Sequence, residues 1–280
     1  MFALSSLLFA GLNDVIFKKY SVKAHSQGLY ICGIGVVWTF IQAMVVVLGK
    51  EVLTYTPATF IFGLIAGLTL CLSNILLLEC FKHLDISVGS TIYRLNTIGV
   101  VIISVMFLPE SIGWIKGIGI ILGVIAVFLL YEPSKLNTKK NRLFIFYIVA
   151  ISASLLRAIY GVITKAGVIN HADLQLMLII ISSCWIIGGL FYAVIKEKNQ
   201  NFDLRTSIYS AISGIMVFLI VFFLTLGLKH GDATIVIPIA NMSFLIAIAL
   251  AALLRMECFT WKKGTAMLTA SAAIICLSIA

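Results

Sequence analysis

Ten apolar runs follow one another with only short polar gaps, and each is about as long as the ~20 residues a helix needs to cross a bilayer. Their limits are 2–18, 28–48, 58–80, 86–108, 113–131, 143–164, 174–195, 206–228, 233–254 and 260–279. Only 11% of the residues are charged and 61% are hydrophobic. An ordinary soluble domain carries roughly 25% charge and no more than about half apolar residues. One water-soluble core has no room to hide so much apolar surface, and the same composition excludes disorder. The expected fold class is therefore an all-α polytopic membrane protein with ten transmembrane helices. The first run is expected to be a helix of the mature protein, because no positive charge precedes it and no small-x-small site closes it.

The sequence repeats itself. At a shift of 147 residues, Lys82-His83-Leu84-Asp85 falls on Lys229-His230-Gly231-Asp232, Glu110 on Glu257, and Trp114 on Trp261. Lys116-Gly117 falls on Lys263-Gly264 and Lys18 on Lys165. Apolar coincidences mean little in such a chain, but charges and tryptophans at one fixed offset mark two copies of a unit. The units are 1–133 and 142–280, joined by a linker at 134–141. With five helices each, the second copy must enter the membrane upside down, the inverted-repeat plan of secondary transporters.

The basic residues agree. Of the nine connections, the odd ones hold 14 Lys and Arg and the even ones 4. By the positive-inside rule the odd connections face the cytoplasm, which leaves both termini outside. The net charge of +9 is thus spent on orientation, and nucleic acid is not an expected partner. The six cysteines are scattered without C-x-x-C spacing and read as small core residues.

Two stretches resemble the drug/metabolite transporter superfamily, EamA type. One is the first helix, around Phe9-Ala10-Gly11-Leu12-Asn13-Asp14-Val15-Ile16-Phe17-Lys18. The other runs from Phe81-Lys82-His83 through Pro109-Glu110-Ser111 and Trp114-Ile115-Lys116-Gly117 to Leu130, and recurs from Leu228-Lys229-His230 through Glu257 and Trp261-Lys262-Lys263-Gly264 to the C-terminus. The resemblance implies alternating-access transport of small metabolites or drugs, through a cavity lined by helices 1, 3, 4, 6, 8 and 9. It implies no particular substrate. The chain departs from the pattern at Asp14, Glu79, Arg94 and Arg157, where neutral residues are expected.

Those departures are the candidate site. An arginine at the middle of a membrane helix costs ~2.5–3.5 kcal/mol on insertion scales, so it should face the interior and meet a partner. Arg94 and Arg157 each lie roughly 12 Å from the nearer end of their runs, at 1.5 Å per residue. Two central guanidiniums suit a carboxylate or phosphate; alternatively they pair with Asp14 and Glu79 and hold helices together. The repeat places Arg157 opposite Ala10, Tyr160 opposite Asn13, and Arg94 opposite Asn241. Substrate contacts are thus expected from Arg94, Arg157, Asn13, Asp14, Tyr160, Asn241, Ser90 and Thr97. Asn96 is expected to turn away by about 200° at 3.6 residues per turn. Glu79 is the candidate proton carrier, since burial raises a carboxylate's affinity for protons. Pro238 is expected to bend the ninth helix, whereas its counterpart Thr91 should leave the fourth unbent. Gly113-x-x-x-Gly117 and Gly119-x-x-x-Gly123 in the fifth are expected to admit a close neighbour, with Ala266-x-x-x-Ala270 answering in the tenth.

The expected function is a secondary transporter of a small anionic or zwitterionic metabolite, amino acid-like or phosphorylated. A flippase for a polyprenyl-phosphate-linked sugar is the alternative, and a cation exporter is disfavoured because central arginines repel its cargo. The sequence carries no H-E-x-x-H or G-x-S-x-G pattern, so neither an enzyme nor a metal or organic cofactor is expected. The expected partners are the substrate and membrane lipids, as a monomer or homodimer, in a bacterial inner membrane.

Overall fold

The structure, a computed structural model, describes residues 1–21, 26–81, 92–108, 112–129, 140–197, 203–253 and 260–279. Every described element is an α-helix: α1 (Phe2–Ser21), α2 (Gln27–Gly49), α3 (Pro57–Phe81), α4 (Asn96–Phe107), α5 (Trp114–Leu129), α6 (Lys140–Ile169), α7 (Leu174–Lys196), α8 (Leu204–His230), α9 (Ala233–Asn241), α10 (Phe244–Leu253) and α11 (Trp261–Ile279). Six spans among the described residues are long and apolar enough to cross a membrane: α2, α3, most of α6, α7, α8, and the α9–α10 segment. Shorter apolar helices, including Phe2–Phe17 and Trp114–Leu129, accompany them. The protein is an integral membrane protein.

The helices begin where polar side chains meet the free amide groups of a first turn. Ser26 accepts from the Leu29 N–H at 3.1 Å and Asp173 from Leu176 at 2.9 Å. Thr56 accepts from Thr59 at 3.2 Å and Asp203 from Thr206 at 2.8 Å. Ser26 and Asp173 stand 147 positions apart, and so do Thr56 and Asp203. The packing has the same regularity. Helix α2 lies along α7 and α5 along α11; α3 packs on α6 as α1 packs on α8; α3 packs on α7 as α2 packs on α8.

The α2–α7 contact is close enough to need glycine. A Cβ on Gly28 would lie 2.5 Å from the Ala193 nitrogen, and one on Gly189 would lie 2.5 Å from the Cys32 nitrogen. Where α7 ends, the Glu197 carboxylate reaches the start of α2. It accepts the Gln27 N–H at 2.7 Å and the Gly28 N–H at 3.2 Å, and the Ser26 hydroxyl donates to it as well. A carboxylate on a helix N-terminus adds charge-assisted bonds and a favourable dipole interaction. Glu197→Ala is therefore expected to cost about 1–2 kcal/mol, read as a lower denaturation temperature in detergent.

The central break corrects one expectation. The ninth apolar run is two helices, α9 and α10, separated at Met242–Ser243. There the Met242 N–H bonds to Ile239 O at 3.1 Å and the Leu245 N–H to Met242 O at 3.0 Å, tight turns in place of the α ladder. The fourth run does the same 147 residues earlier: Leu95 N–H to Ile92 O at 3.1 Å and Ile98 N–H to Leu95 O at 3.0 Å. Residues 92–94 form a short turn of helix before Leu95, and α4 follows it. Both runs break, so Pro238 is not what separates them. What they share is a polar pair across the break, Arg94 and Asn96 in one and Asn241 and Ser243 in the other.

A second correction concerns the fifth run. A Cβ on Gly119 would meet Leu277 of α11 at 2.8 Å, and one on Gly123 would meet the Met242 side chain at 2.7 Å and Ala273 at 3.9 Å. Among the described residues, nothing lies within 4 Å of a Gly113 Cβ, and a Gly117 Cβ would meet Ile112 alone, at 3.7 Å. Among the described residues the Gly119/Gly123 pair is the part of this run that meets α11, at Leu277 and Ala273; Ala266 and Ala270 of α11 are fully buried.

Candidate functional site

The site starts from a glycine. A Cβ on Gly11 of α1 would lie 2.6 Å from the Ser243 carbonyl and 2.5 Å from Ile246 Cβ, so α1 touches the α9–α10 break backbone to backbone. Asp14 follows three residues on and so points the same way. Its Oδ2 accepts from Arg94 Nη2 at 2.5 Å and from the Ser243 hydroxyl at 3.2 Å. The Arg94 side chain is 15% exposed and that of Asp14 38%.

The break gives Arg94 its second partner. In an unbroken helix Asn241 O would accept from Leu245; here Leu245 turns to Met242, and the freed carbonyl accepts Arg94 Nη1 at 2.9 Å. The same Nη1 donates to the Ser243 hydroxyl at 2.8 Å, and the guanidinium lies over the Phe244 ring at 5.4 Å. Arg94 is thus held by a carboxylate, a carbonyl, a hydroxyl and an aromatic face.

The Asn241 side chain looks across to the other break. Its amide donates to Asn96 Oδ1 at 2.5 Å and to Thr97 Oγ1 at 3.0 Å. Asn96 therefore faces the polar centre, contrary to the expectation that it turns away. The tight turn at Leu95 resets the helical phase on which that expectation rested. Thr97 is buried and bound to Asn241, so its place in the cluster is through that residue. Ser90 lies outside the described residues.

Arg157, half-buried on α6, is differently served. Its guanidinium lies 5.4 Å from the Tyr160 ring centre and 5.9 Å from that of Tyr93. It has no ion pair and no hydrogen bond among the described residues, so its charge is met by ring faces alone. Tyr93 is tied to α3 by the Ser73 hydroxyl, which donates to its oxygen at 3.2 Å. The Tyr160 side chain is buried, and its hydroxyl has no hydrogen-bond partner among the described residues; the same holds for Oδ1 of Asn13 on α1. Tyr93 and Arg94 are chain neighbours, so the two arginines are joined through one turn.

Glu79, near the end of α3, accepts a hydrogen bond from the Tyr192 hydroxyl at 2.6 Å. Sequence reasoning missed Ser243, Tyr93 and Phe244. For Ser243 a signal existed, since it stands 147 residues after Asn96. At another level of the bundle, Lys116 donates to Asp232 at 2.8 Å and Lys165 to the carbonyls of Leu228 and Gly231 at 2.8 and 2.7 Å, closing the α8–α9 corner. Among the described residues no group of His, Cys, Asp and Glu is arranged to hold a metal.

Fold and site together define a polytopic helical membrane protein with a polar, positively charged centre at two interrupted helices. Residues 1–132 match the EamA-like transporter family, a match consistent with the drug/metabolite transporter superfamily. A solved crystal structure at 12% identity shares the fold, with a TM-score of 0.84 over 99% of this chain and 95% of that one. No curated protein matches the chain in sequence.

Proposed function

We propose that the protein is a secondary carrier for a small anionic or zwitterionic metabolite, amino acid-like or phosphorylated, working by alternating access in a bacterial inner membrane. In this reading ten membrane-crossing helices form two inverted units, 1–133 and 142–280, with 134–141 as the linker. Support comes from the pairs 147 residues apart: the helix caps, the reciprocal packing and the two tight turns. Interrupted helices with freed backbone groups near the bilayer middle are how many carriers make a site that rearranges.

The observation that carries the substrate class is the contrast between the arginines. Arg94 is already neutralised by Asp14, whereas Arg157 presents its charge to no anion among the described residues. A half-buried guanidinium against two tyrosine faces, beside a buried hydroxyl with no partner among the described residues, suits a carboxylate or phosphate. Cationic cargo would be repelled, and the reading assigns no catalytic residue, metal or organic cofactor.

A thermal-shift screen of the purified protein in detergent tests this. Amino acids, sugar phosphates, nucleotides, quaternary ammonium compounds and polyprenyl phosphates are compared. A ligand at a hundred times its Kd stabilises by about 2.7 kcal/mol. A soluble anion or zwitterion is expected to raise the denaturation temperature. A response to polyprenyl phosphates alone would make the protein a lipid flippase, and a response to quaternary ammonium alone would overturn the reading.

A further inference from the structure

We propose that Asp232 is a two-position latch. Bonded to Lys116, it shuts the mouth of the carrier on the face where α5 begins; when that mouth opens, it turns back to cap α9. The inference rests on the carrier reading and adds the device that closes one entrance.

Three observations lead there. First, charges that recur in both repeats converge on one corner, the junction of α8 and α9. Lys116 of α5 donates to Asp232 at 2.8 Å, and Lys165 of α6 donates to the Leu228 and Gly231 carbonyls at 2.8 and 2.7 Å. The start of α1 joins them, with the Phe2 ring stacked on His230 at 5.9 Å. At the shift of 147 residues Lys165 falls on Lys18, Lys116 on Lys263 and Asp232 on Asp85; Asp85 lies outside the described residues. Second, the two lysines hold the corner differently. Lys165 bonds carbonyls that the last turn of α8 leaves free, a fixed part of the fold. Lys116, 8% exposed, holds a carboxylate side chain that is 44% exposed. An ion pair with one member so open to water is weak and breaks readily, so it is the tie that can open. Third, Asp232 has another place to go. It precedes α9 with the extended backbone of a cap, φ −68° and ψ 143°, yet its side chain makes no capping bond. Ser26, Thr56, Asp173 and Asp203 stand at the equivalent points of α2, α3, α7 and α8, and each accepts the N–H three residues on. At α9 that N–H belongs to Ile235, and it turns to the Asp232 main-chain carbonyl at 3.1 Å. The carboxylate is given to Lys116 instead.

The consequence is a bistable element. In the shut state Lys116 and Asp232 satisfy each other across the mouth. In the open state water reaches Lys116, while Asp232 gains the Ile235 N–H and the positive end of the α9 dipole. The carboxylate is served in both states, so neither is strongly favoured, and a small differential interaction with cargo shifts the balance. Rotation of the Asp232 side chain is the only change the carboxylate needs. Along α5, Gly119 packs on Leu277 of α11, so the tie joins the α5–α11 pair to the corner. Helix α9 runs from the latch to the break at Met242–Ser243, and the mouth it guards therefore leads to the central cluster.

The test is backbone hydrogen exchange, read by mass spectrometry on the purified full chain in detergent. Wild type is compared with Lys116→Met, Asp232→Asn and Asp232→Ala. The first two undo the tie but keep a side chain able to cap, since asparagine caps as well as aspartate. Both are expected to speed exchange at residues 95–98 and 242–246, where water entering the opened mouth reaches the breaks. Both are also expected to slow exchange in the first turn of α9, by about fivefold, because the cap forms there. Asp232→Ala has no cap to offer and is expected to speed exchange at both places. A pair that merely holds the fold would, once broken, loosen the start of α9 in all three variants; that result would overturn the proposal. Unchanged exchange at the breaks would overturn it as well. Lys116→Met and Asp232→Asn act from opposite sides of the pair, so either one, folded, decides the matter. The ligand screen keeps the two readings apart. Anion binding without this exchange signature leaves the carrier reading and overturns the latch; the signature without anion binding keeps the latch and overturns the choice of cargo.

Discussion

Arg94→Ala is expected to lower the stability of the folded protein by about 2–3 kcal/mol, read from denaturation in detergent. Breaking a fully buried ion pair by removing one partner costs about 3–5 kcal/mol, because the other charge is left without compensation. The smaller figure applies because the Asp14 side chain is 38% exposed and keeps some contact with its surroundings. The loss has a second source. The Asn241 carbonyl is outside the helical ladder and Arg94 is its donor, so alanine also strands a backbone acceptor. A double variant tells these sources apart. Arg94→Met with Asp14→Leu removes both charges and fills the space, a change that in buried pairs is often neutral or stabilising. It is expected to recover most of the stability but not all, since the Asn241 carbonyl remains bare. Full recovery would mean that the break is held by the packing of Gly11 against Ser243 and needs no guanidinium.

The legibility of this protein in its sequence follows a physical line. Hydrophobic runs read as helices because lipid forces backbone groups to pair within each segment, and the structure has helices within all ten runs. The offset of 147 residues told which positions correspond, and it paired Arg94 with Asn241, whose backbone and side chain both belong to the central cluster. Depth and charge also picked out Asp14 and Arg157. Direction around the helix was not legible at the centre. The expected position of Asn96 assumed a continuous 3.6-residue period, and the turn at Leu95 breaks that period just before it. The break itself hides in the sequence because it depends on a partner: Arg94 accepts a role on the carbonyl that the other run frees. Pro238 drew attention as the visible helix breaker, yet the fourth run breaks equally. The Gly113-x-x-x-Gly117 spacing matched a packing motif, but small residues permit an approach without requiring one, and among the described residues no helix comes there.

Arg157→Gln is expected to leave stability near that of the wild type and to reduce substrate binding and transport about 100-fold, the equivalent of about 2.7 kcal/mol. Arg157 gives up two ring-face contacts worth about 0.5–2 kcal/mol in all, but glutamine also removes a half-buried charge that no anion offsets among the described residues. These terms oppose each other, so the folded protein changes little. The substrate, in contrast, loses charge-assisted hydrogen bonds of about 1.5–3 kcal/mol. Arg157→Lys should recover only part, because an ammonium lacks the planar fork and stacks poorly between Tyr93 and Tyr160. Tyr160→Phe completes the comparison. Its hydroxyl is buried without a partner among the described residues, so losing it should not destabilise the protein. If that hydroxyl is kept for the substrate, binding nonetheless falls by about tenfold. A protein as stable as wild type that binds less well locates the cost in the ligand. Loss of stability at Arg157, with binding retained in the folded fraction, would instead make its role structural.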